Sequence, residues 1–276
     1  MNAETLVKAV GLVTRAERSG RGFFRLTLHA PEVARKVQPG QFVMVAVHPL
    51  VAAEAESLVA RWDPLLRRPF SICRADANRG EIALMGETRG RGSALLAAAL
   101  PGQRYSLLGP LGRPFRLERA RRRLLLVGGG MGVAPLLFAG ERFAASGHEV
   151  SVLFGYRTQS AVVGWEETAA WAAGRYLATE DGSAGEKGLV SDVLRRLLAE
   201  RGKVDAILAC GPPGMLAAVT GVAREARVHC LVSLERAMGC GFGVCLSCAV
   251  ARPDGTYALV CTDGPVFAAE EVDLTV

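Results

Sequence analysis

The chain has 276 residues, half of them hydrophobic, and its 33 basic and 27 acidic residues give a formal net charge of +6. This length suits two or three domains and exceeds that of a lone metal-cluster module. The charge is mild, and the basic residues between positions 113 and 123 have a single aromatic residue, Phe115, among them, which argues against nucleic-acid binding. No N-terminal segment resembles a signal peptide, and the longest uncharged run, Leu124–Gly140, is too short and too broken by glycine and proline to span a bilayer. We therefore expect a cytoplasmic protein that does not enter the membrane.

The first third of the chain, residues 1–117, consists of short β-type runs separated by turn signals such as Pro39-Gly40 and Pro101-Gly102. This spacing predicts a small antiparallel barrel. One segment, His48–Trp62, has apolar residues at four-residue spacing and predicts a short helical insertion. The predicted strands are Leu6–Val13, Phe23–Leu28, Phe42–Val47, Pro69–Cys73 and Ile82–Met85.

Two pieces of the predicted barrel carry residues that suit a phosphate-bearing cofactor. In Arg68-Pro69-Phe70-Ser71, the guanidinium offers a planar fork for phosphate and the serine hydroxyl can reach a ring nitrogen. In Gly92-Ser93, small residues open a predicted helix whose free N–H groups suit an anion, although a serine there is also an ordinary helix cap. A predicted hairpin joins the two pieces, so we expect both at one end of the barrel, facing a single pyrophosphate.

Residues 118–231 alternate between apolar strands and helices, which predicts a parallel sheet with right-handed crossovers. Gly128 and Gly130 fit the first two positions of the dinucleotide fingerprint, but Val133 occupies the third. Tyr156-Arg157 stands where an acidic residue usually grips the ribose, so a standard Rossmann site is disfavoured. A nucleotide over the glycine turn stays plausible, and the choice between NAD and NADP stays open. Cys210-Gly211 ends another strand at the same edge of the predicted sheet.

The C-terminal segment, residues 232–276, has the spacing Cys-x4-Cys-x2-Cys followed by a distant fourth cysteine. This is the plant-type ligand spacing of a [2Fe–2S] cluster, and interleaved glycines let such a loop curl around the thiolates. A structural zinc site is the alternative, although zinc sites usually show two Cys-x2-Cys pairs. The four candidate ligands are Cys240, Cys245, Cys248 and Cys261.

Taken in order, these motifs resemble the ferredoxin–NADP reductase superfamily. Within it, four segments are similar to the electron-transfer subunit of type B dihydroorotate dehydrogenase: Asp63–Ile72, Glu180–Ser183, Ser233–Cys248 and Cys261–Phe267.

The resemblance implies FAD in the barrel, NAD at the α/β unit and a [2Fe–2S] cluster at the C-terminus. Two positions depart from the family pattern. Met85-Gly86-Glu87 stands where the family usually has an aromatic residue together with an arginine, and Ser93 stands where it usually has a threonine. The FAD contacts carried over by the resemblance are Arg68, Pro69, Phe70, Ser71, Met85, Gly86, Glu87, Gly92 and Ser93. The NAD contacts expected at the glycine turns are Gly128, Gly129, Gly130, Gly132, Cys210 and Gly211.

The same resemblance implies a function. An FMN-containing catalytic subunit would oxidise dihydroorotate in pyrimidine (UMP) biosynthesis, and this chain would carry the electrons through the cluster and FAD to NAD+, in a heterotetramer of two copies of each subunit. No catalytic residue for an organic substrate is expected in this chain. The apolar Phe242, Val244 and Leu246, between the cysteines, are the predicted partner contacts. Two alternatives are a flavin and iron–sulfur subunit of an NAD(P)H:ferredoxin oxidoreductase or sulfhydrogenase, and a non-catalytic protein with a zinc ribbon.

Overall fold

The computed structural model describes residues 7–19, 22–50, 63–117, 123–200 and 204–274. Most of the predicted helical insertion, positions 51–62, lies outside these residues, and so does part of the basic run, positions 118–122. None of the helices in the described ranges is long and apolar enough to cross a membrane.

The N-terminal part forms a closed antiparallel barrel with the strand order β1-β2-β5-β4-β3-β6, which confirms the predicted fold. Alternating residues of its strands fill the interior, as Phe24, Leu26 and Leu28 do in β2, each at most 3% exposed. The short helix α1 (Pro31–Ala34) follows β2, and α2 (Arg91–Ala97) follows β5. The strands are β1 (Val7–Ser19), β2 (Phe23–His29), β3 (Phe42–Val45), β4 (Arg68–Asp76), β5 (Glu81–Glu87) and β6 (Arg104–Leu111).

The central part is a seven-stranded sheet with the order β10-β9-β8-β7-β11-β12-β15. Its first six strands are parallel, and their apolar runs are buried on both faces, as expected where helices cover a sheet. The chain order reverses between β7 and β11, and open α/β sheets bind ligands at such a point. These strands and helices are β7 (Arg123–Gly129), α3 (Val133–Ala145), β8 (Glu149–Tyr156), β9 (Gly174–Thr179), β10 (Glu186–Lys187), α4 (Val190–Glu200), β11 (Ala206–Cys210), α5 (Pro213–Glu225) and β12 (His229–Ser233).

The C-terminal part holds a small hairpin of β13 (Ala249–Ala251) and β14 (Tyr257–Leu259), followed by β15 (Val266–Ala268). β15 pairs antiparallel with β12, so a strand from the segment predicted as a cluster domain forms an edge of the central sheet. The cysteine loop connects β12 of the central sheet to β13 of the hairpin. The predicted domain boundaries at 117 and 231 stay predictions.

Two ion pairs join the barrel to the central sheet and its helices. Arg25 on β2 lies 2.6 Å from Glu167, and Arg74 on β4 lies 3.2 Å from Glu141 on α3. Arg25 is the less exposed cation of the two, with 23% of its side chain accessible. These contacts hold β2 and β4 of the barrel against α3 and the segment between β8 and β9.

Candidate functional site

The main cavity, of about 580 Å³, lies between the barrel and the segment that follows β12. Strands β4 and β5 and the start of α2 form one wall, and residues 233–238 form the opposite wall. All nine barrel residues that the resemblance assigned to FAD line this cavity: Arg68, Pro69, Phe70, Ser71, Met85, Gly86, Glu87, Gly92 and Ser93.

Close packing between β4, β5 and α2 shapes the barrel wall of this cavity. A Cβ added to Gly92 would lie 2.8 Å from Nε of Arg68, so the guanidinium lies directly against the glycine. A Cβ on Gly86 would lie 2.6 Å from ring atoms of Phe24 and Phe70. The hairpin of β4 and β5 thus brings the Arg68 guanidinium and the start of α2 together, as expected from the sequence.

The two serines of this wall differ in what their hydroxyls do. Ser93 Oγ accepts hydrogen bonds from the Arg89 and Gly90 amides at 2.9 and 3.1 Å and donates to Gly90 O at 2.9 Å. Its side chain therefore closes the turn before α2 from the third position of the helix, whereas the capping interpretation expected it at the helix cap, which is Gly90. Within the described residues, the Ser71 hydroxyl has no hydrogen-bond partner, although it lines the cavity. A polar ring edge bound here would supply one.

A second cavity, of about 560 Å³, runs along the carboxyl edge of the central sheet, and a smaller one of about 240 Å³ adjoins it. Gly129, Gly130, Gly132 and Gly211 line one or both of these cavities. The structure does not place Gly128 and Cys210 at a cavity surface. Both are buried at the ends of β7 and β11, where they face each other in the parallel register.

The buried position of these two residues has packing consequences. A Cβ on Gly128 would lie 2.9 Å from Val133 and 3.0 Å from Phe154, so the glycine lets α3 approach the sheet. Burial raises the pKa of the Cys210 thiol well above its ordinary value. Cys210 therefore remains a neutral thiol behind the cavity wall.

Several cavity residues were not predicted from the sequence. Arg89 and Met131 line all three cavities, at the point where the cavities meet. Glu235 lines two of them; burial raises the pKa of its carboxyl, and the charge of Arg89 partly offsets this effect. Arg89 directly precedes the Gly90–Ser93 motif and Glu235 lies within the Ser233–Cys248 segment, so both could have been singled out.

The cysteine loop is curled so that its amides point at one sulfur. The N–H groups of Phe242, Val244 and Cys245 lie 3.5, 3.4 and 3.4 Å from Cys240 Sγ. Gly241 and Gly243 adopt φ values of +86° and +90°, which glycine tolerates without strain. Amide hydrogen bonds of this kind orient a cysteine sulfur as a metal ligand.

The four cysteines differ in their surroundings. Hydrogen bonds from Ser247, followed by those involving Cys240, lower the pKa of the Cys245 thiol to about 6. Burial, followed by the neighbouring Cys248, raises the pKa of the Cys261 thiol to about 12. Cys248 and Cys261 are buried at 2% and 1% exposure. With its raised pKa, the Cys261 thiol needs a metal's positive charge to ionise.

The placement of the thiols bears on the two metal sites left open by the sequence. Three of them, Cys240, Cys245 and Cys248, lie in one loop, and the fourth, Cys261, follows β14. A structural zinc site usually takes its ligands from two Cys-x2-Cys pairs. Three thiols in one loop with a fourth from a separate segment are the ligand set of a [2Fe–2S] cluster, so the residues fit this group.

The cysteine loop and the main cavity are directly connected. Met238, two residues before Cys240, lines the cavity. A Cβ on Gly241 would lie 2.5 Å from Cγ of Met44, so the loop packs against β3 of the barrel. The outer face of the loop exposes Phe242, Val244 and Leu246 at 40%, 71% and 60%.

Comparison with known proteins gives two family models that match this chain. Residues 126–221 match an oxidoreductase NAD-binding domain, and residues 235–273 match the iron–sulfur cluster binding domain of dihydroorotate dehydrogenase B.

Curated relatives match over nearly the whole length. The dihydroorotate dehydrogenase B (NAD(+)) electron transfer subunit of Geobacillus thermodenitrificans is 42% identical over 255 residues, 91% of this chain and 93% of the relative. The protein of the same name from Geobacillus sp. (strain WCH70) is 40% identical over 95% of this chain and 97% of its own.

Solved structures share the architecture. A chain from the structure of an NADH-dependent reduced ferredoxin-NADP oxidoreductase superimposes with a TM-score of 0.82 at 29% identity, covering 96% of this chain and 90% of its own. The ferredoxin reductase of carbazole 1,9a-dioxygenase, at 22% identity and a TM-score of 0.65, covers 81% of this chain and 67% of its own and shows the fold alone.

Proposed function

Because the chain belongs to the family of dihydroorotate dehydrogenase B electron transfer subunits, we propose that it carries electrons from a partner subunit to NAD+. The partner is an FMN-containing subunit that oxidises dihydroorotate in pyrimidine biosynthesis, and the complex contains two copies of each chain. The electrons pass through a [2Fe–2S] cluster and FAD. The observation that carries this proposal is the 42% identity over 91% of the chain, combined with a cysteine loop that adjoins the main cavity.

FAD links the one-electron chemistry of a cluster to the hydride chemistry of NAD. The residues of the main cavity suit the binding of this cofactor. Arg68 offers its guanidinium to the pyrophosphate, and Gly92 and Gly86 leave room where a side chain would intrude. The free Ser71 hydroxyl orients the flavin edge. Arg89 and Met131 lie at the junction of the cavities and separate the flavin from the glycine turn of the nucleotide site.

The cluster would be held by Cys240, Cys245, Cys248 and Cys261. Three amides of the loop donate hydrogen bonds to Cys240 Sγ and fix the position of this sulfur. The segment from Leu234 to Met238 lines the main cavity and leads directly into this loop. The chain itself therefore bridges the two redox sites, and the exposed face of the loop is left for the partner.

The function is tested by co-purifying the chain with its catalytic partner and assaying dihydroorotate-dependent reduction of NAD+. We expect NADH to form in the complex and not with either subunit alone. An FMN-loaded complex without this activity would contradict the proposal. It would favour the alternative of a ferredoxin-oxidoreductase subunit, for which the structural match at a TM-score of 0.82 is the supporting observation.

The cluster has a separate test. Replacing Cys245 with serine removes one ligand on the exposed side of the loop. We expect the cluster absorption to disappear in an anaerobic spectrum while the flavin bands persist, because Cys245 does not line the flavin cavity. A matched change of the buried Cys73 to serine, far along the sequence in β4, should leave both spectra intact. A colourless wild-type protein that contains zinc would contradict the proposal.

A further inference from the structure

Two charged side chains stand next to each other where β8 and β9 end. The parallel pairing of these strands ends at Tyr156 and Thr179. Arg157 and Glu180 are therefore the next residues on adjacent strands, whose backbones are about 4.8 Å apart. The Glu180 amide donates to Tyr156 O at 3.0 Å, which fixes the backbone at this point. Both side chains are exposed and line the cavity along the carboxyl edge of the sheet.

These two side chains are free to meet a ligand. Among the described residues, neither Arg157 nor Glu180 takes part in a salt bridge or a side-chain hydrogen bond. The next acidic residue, Asp181, already has a hydrogen-bond partner, because its Oδ1 accepts a hydrogen bond from the Ser183 hydroxyl at 2.6 Å. Ser183 Oγ in turn accepts from the Gln159 amide at 2.7 Å, so the turn that carries Glu180 is braced against the end of β8.

The position of the pair along the cavity indicates which part of a dinucleotide it meets. One end of the cavity shares Glu87, Arg89 and Met131 with the flavin cavity. A nicotinamide that exchanges a hydride with the flavin must lie at this end. The adenosine half then lies beyond the glycine turn, toward Arg157 and Glu180.

We propose that Glu180 selects NAD(H) over NADP(H) by accepting a hydrogen bond from the adenosine ribose and repelling a 2′-phosphate. The inference rests on the proposed use of NAD. A 2′-phosphate brings about two negative charges next to the carboxylate. Without Glu180, the free guanidinium of Arg157 would be a ready phosphate ligand. Dinucleotide-binding folds usually carry this acidic residue at the end of the second strand, which is β8 here. In this chain Glu180 follows the next strand, β9.

The test measures binding to the purified FAD-loaded protein by calorimetry, with ADP-ribose and 2′-phospho-ADP-ribose as probes. We expect the wild type to bind ADP-ribose at least about tenfold more tightly than the phosphorylated probe. In Glu180→Gln, the phosphorylated probe should bind at least about tenfold more tightly than it does to the wild type. The double variant Glu180→Gln, Arg157→Gln should lose this gain, because the phosphate then has no cation.

The matched control is Glu149→Gln, which removes the same charge at the opposite end of β8. Glu149 is exposed and lines none of the three cavities, so the preference should not change. If the wild type binds both probes equally, or Glu180→Gln keeps the wild-type preference, the inference is overturned while the nucleotide site stands. If the wild type does not bind ADP-ribose at all, the nucleotide site of the proposed function fails too.

Discussion

At the scale of single residues, the position of the arginine in the flavin cavity depends on a glycine, which has no side chain. The Arg68 guanidinium occupies the space that a side chain on Gly92 would need. Nη1 of the same arginine donates to Leu66 O at 2.7 Å, which holds the guanidinium against the glycine. The glycine thus sets the position of a cation that faces the cavity.

This arrangement predicts that Gly92→Ala weakens FAD binding without unfolding the barrel. The new methyl group would lie 2.8 Å from Arg68 Nε and push a flexible side chain away from its place. Loss of a charged hydrogen bond costs about 1.5–3 kcal/mol, so we expect the dissociation constant for FAD to rise at least about tenfold. Flavin fluorescence during titration of the apoprotein measures it.

Gly221→Ala is the matched control for this experiment. Gly221 lies on α5, outside the flavin cavity, and a Cβ there would have nothing within 4 Å. Its FAD affinity should equal that of the wild type. If both variants lose FAD to the same extent, the role given to Arg68 is wrong.

The site residues divide into those that a local motif reveals and those that only the fold brings together. Arg68 and Ser71 are recognisable because the whole motif lies on one strand. Arg157 and Glu180 follow two separate strands and meet only through strand order, which no local spacing encodes. Ser93 could be placed at the helix start, but its hydroxyl is used by the turn itself.

At the scale of elements, the central strands and helices could be predicted closely. The alternation expected over residues 118–231 is present, with α3 following β7 and β8 following α3. The strand β9 (Gly174–Thr179) has only a weak signal in the sequence, because its residues are mostly half-buried and mix polar with apolar side chains. β15 was also missed: three residues become a strand only by pairing with β12, and such pairing depends on tertiary context.

The cysteine loop is an element whose position on the barrel depends on one glycine. Gly241 adopts φ +86°, and a Cβ there would lie 2.5 Å from Met44, which is fully buried in β3. We predict that Gly241→Ala lowers the free energy of unfolding by about 2–4 kcal/mol, from left-handed backbone strain and overpacking together. Thermal unfolding followed by circular dichroism and by cluster absorption measures the change.

Gly255→Ala separates these two contributions. Gly255 has a similar φ of +81°, but a Cβ there would meet nothing within 4 Å. This variant should lose only about 1–2 kcal/mol, the cost of the backbone conformation. An equal loss in both variants would show that the contact between the loop and the barrel contributes nothing to stability.

At the scale of the whole molecule, the cysteine loop exposes apolar side chains that do nothing for the fold of this chain. Phe242, Val244 and Leu246 are 40–71% exposed, and Tyr257 on the adjacent hairpin is 73% exposed. Leu246 also adopts φ +59°, a conformation that costs an ordinary residue about 1–2 kcal/mol. An exposed leucine held in an unfavourable conformation suggests a role outside the chain, and a partner surface explains both properties.

We therefore predict that Phe242→Asp and Leu246→Asn both weaken the complex with the catalytic subunit and leave the cluster spectrum intact. A buried apolar anchor contributes about 2 kcal/mol or more to an interface, so the dissociation constant should rise at least about thirtyfold for Phe242→Asp. Asparagine tolerates the left-handed backbone, so Leu246→Asn should unfold at the same or a higher temperature although it binds its partner less tightly. Analytical ultracentrifugation of the mixed subunits measures the affinity.

Leu100→Asp, at a site 57% exposed in the turn before β6, provides the control and should bind as the wild type does. An intact complex in Phe242→Asp would place the partner elsewhere, and the left-handed Leu246 would then need another explanation.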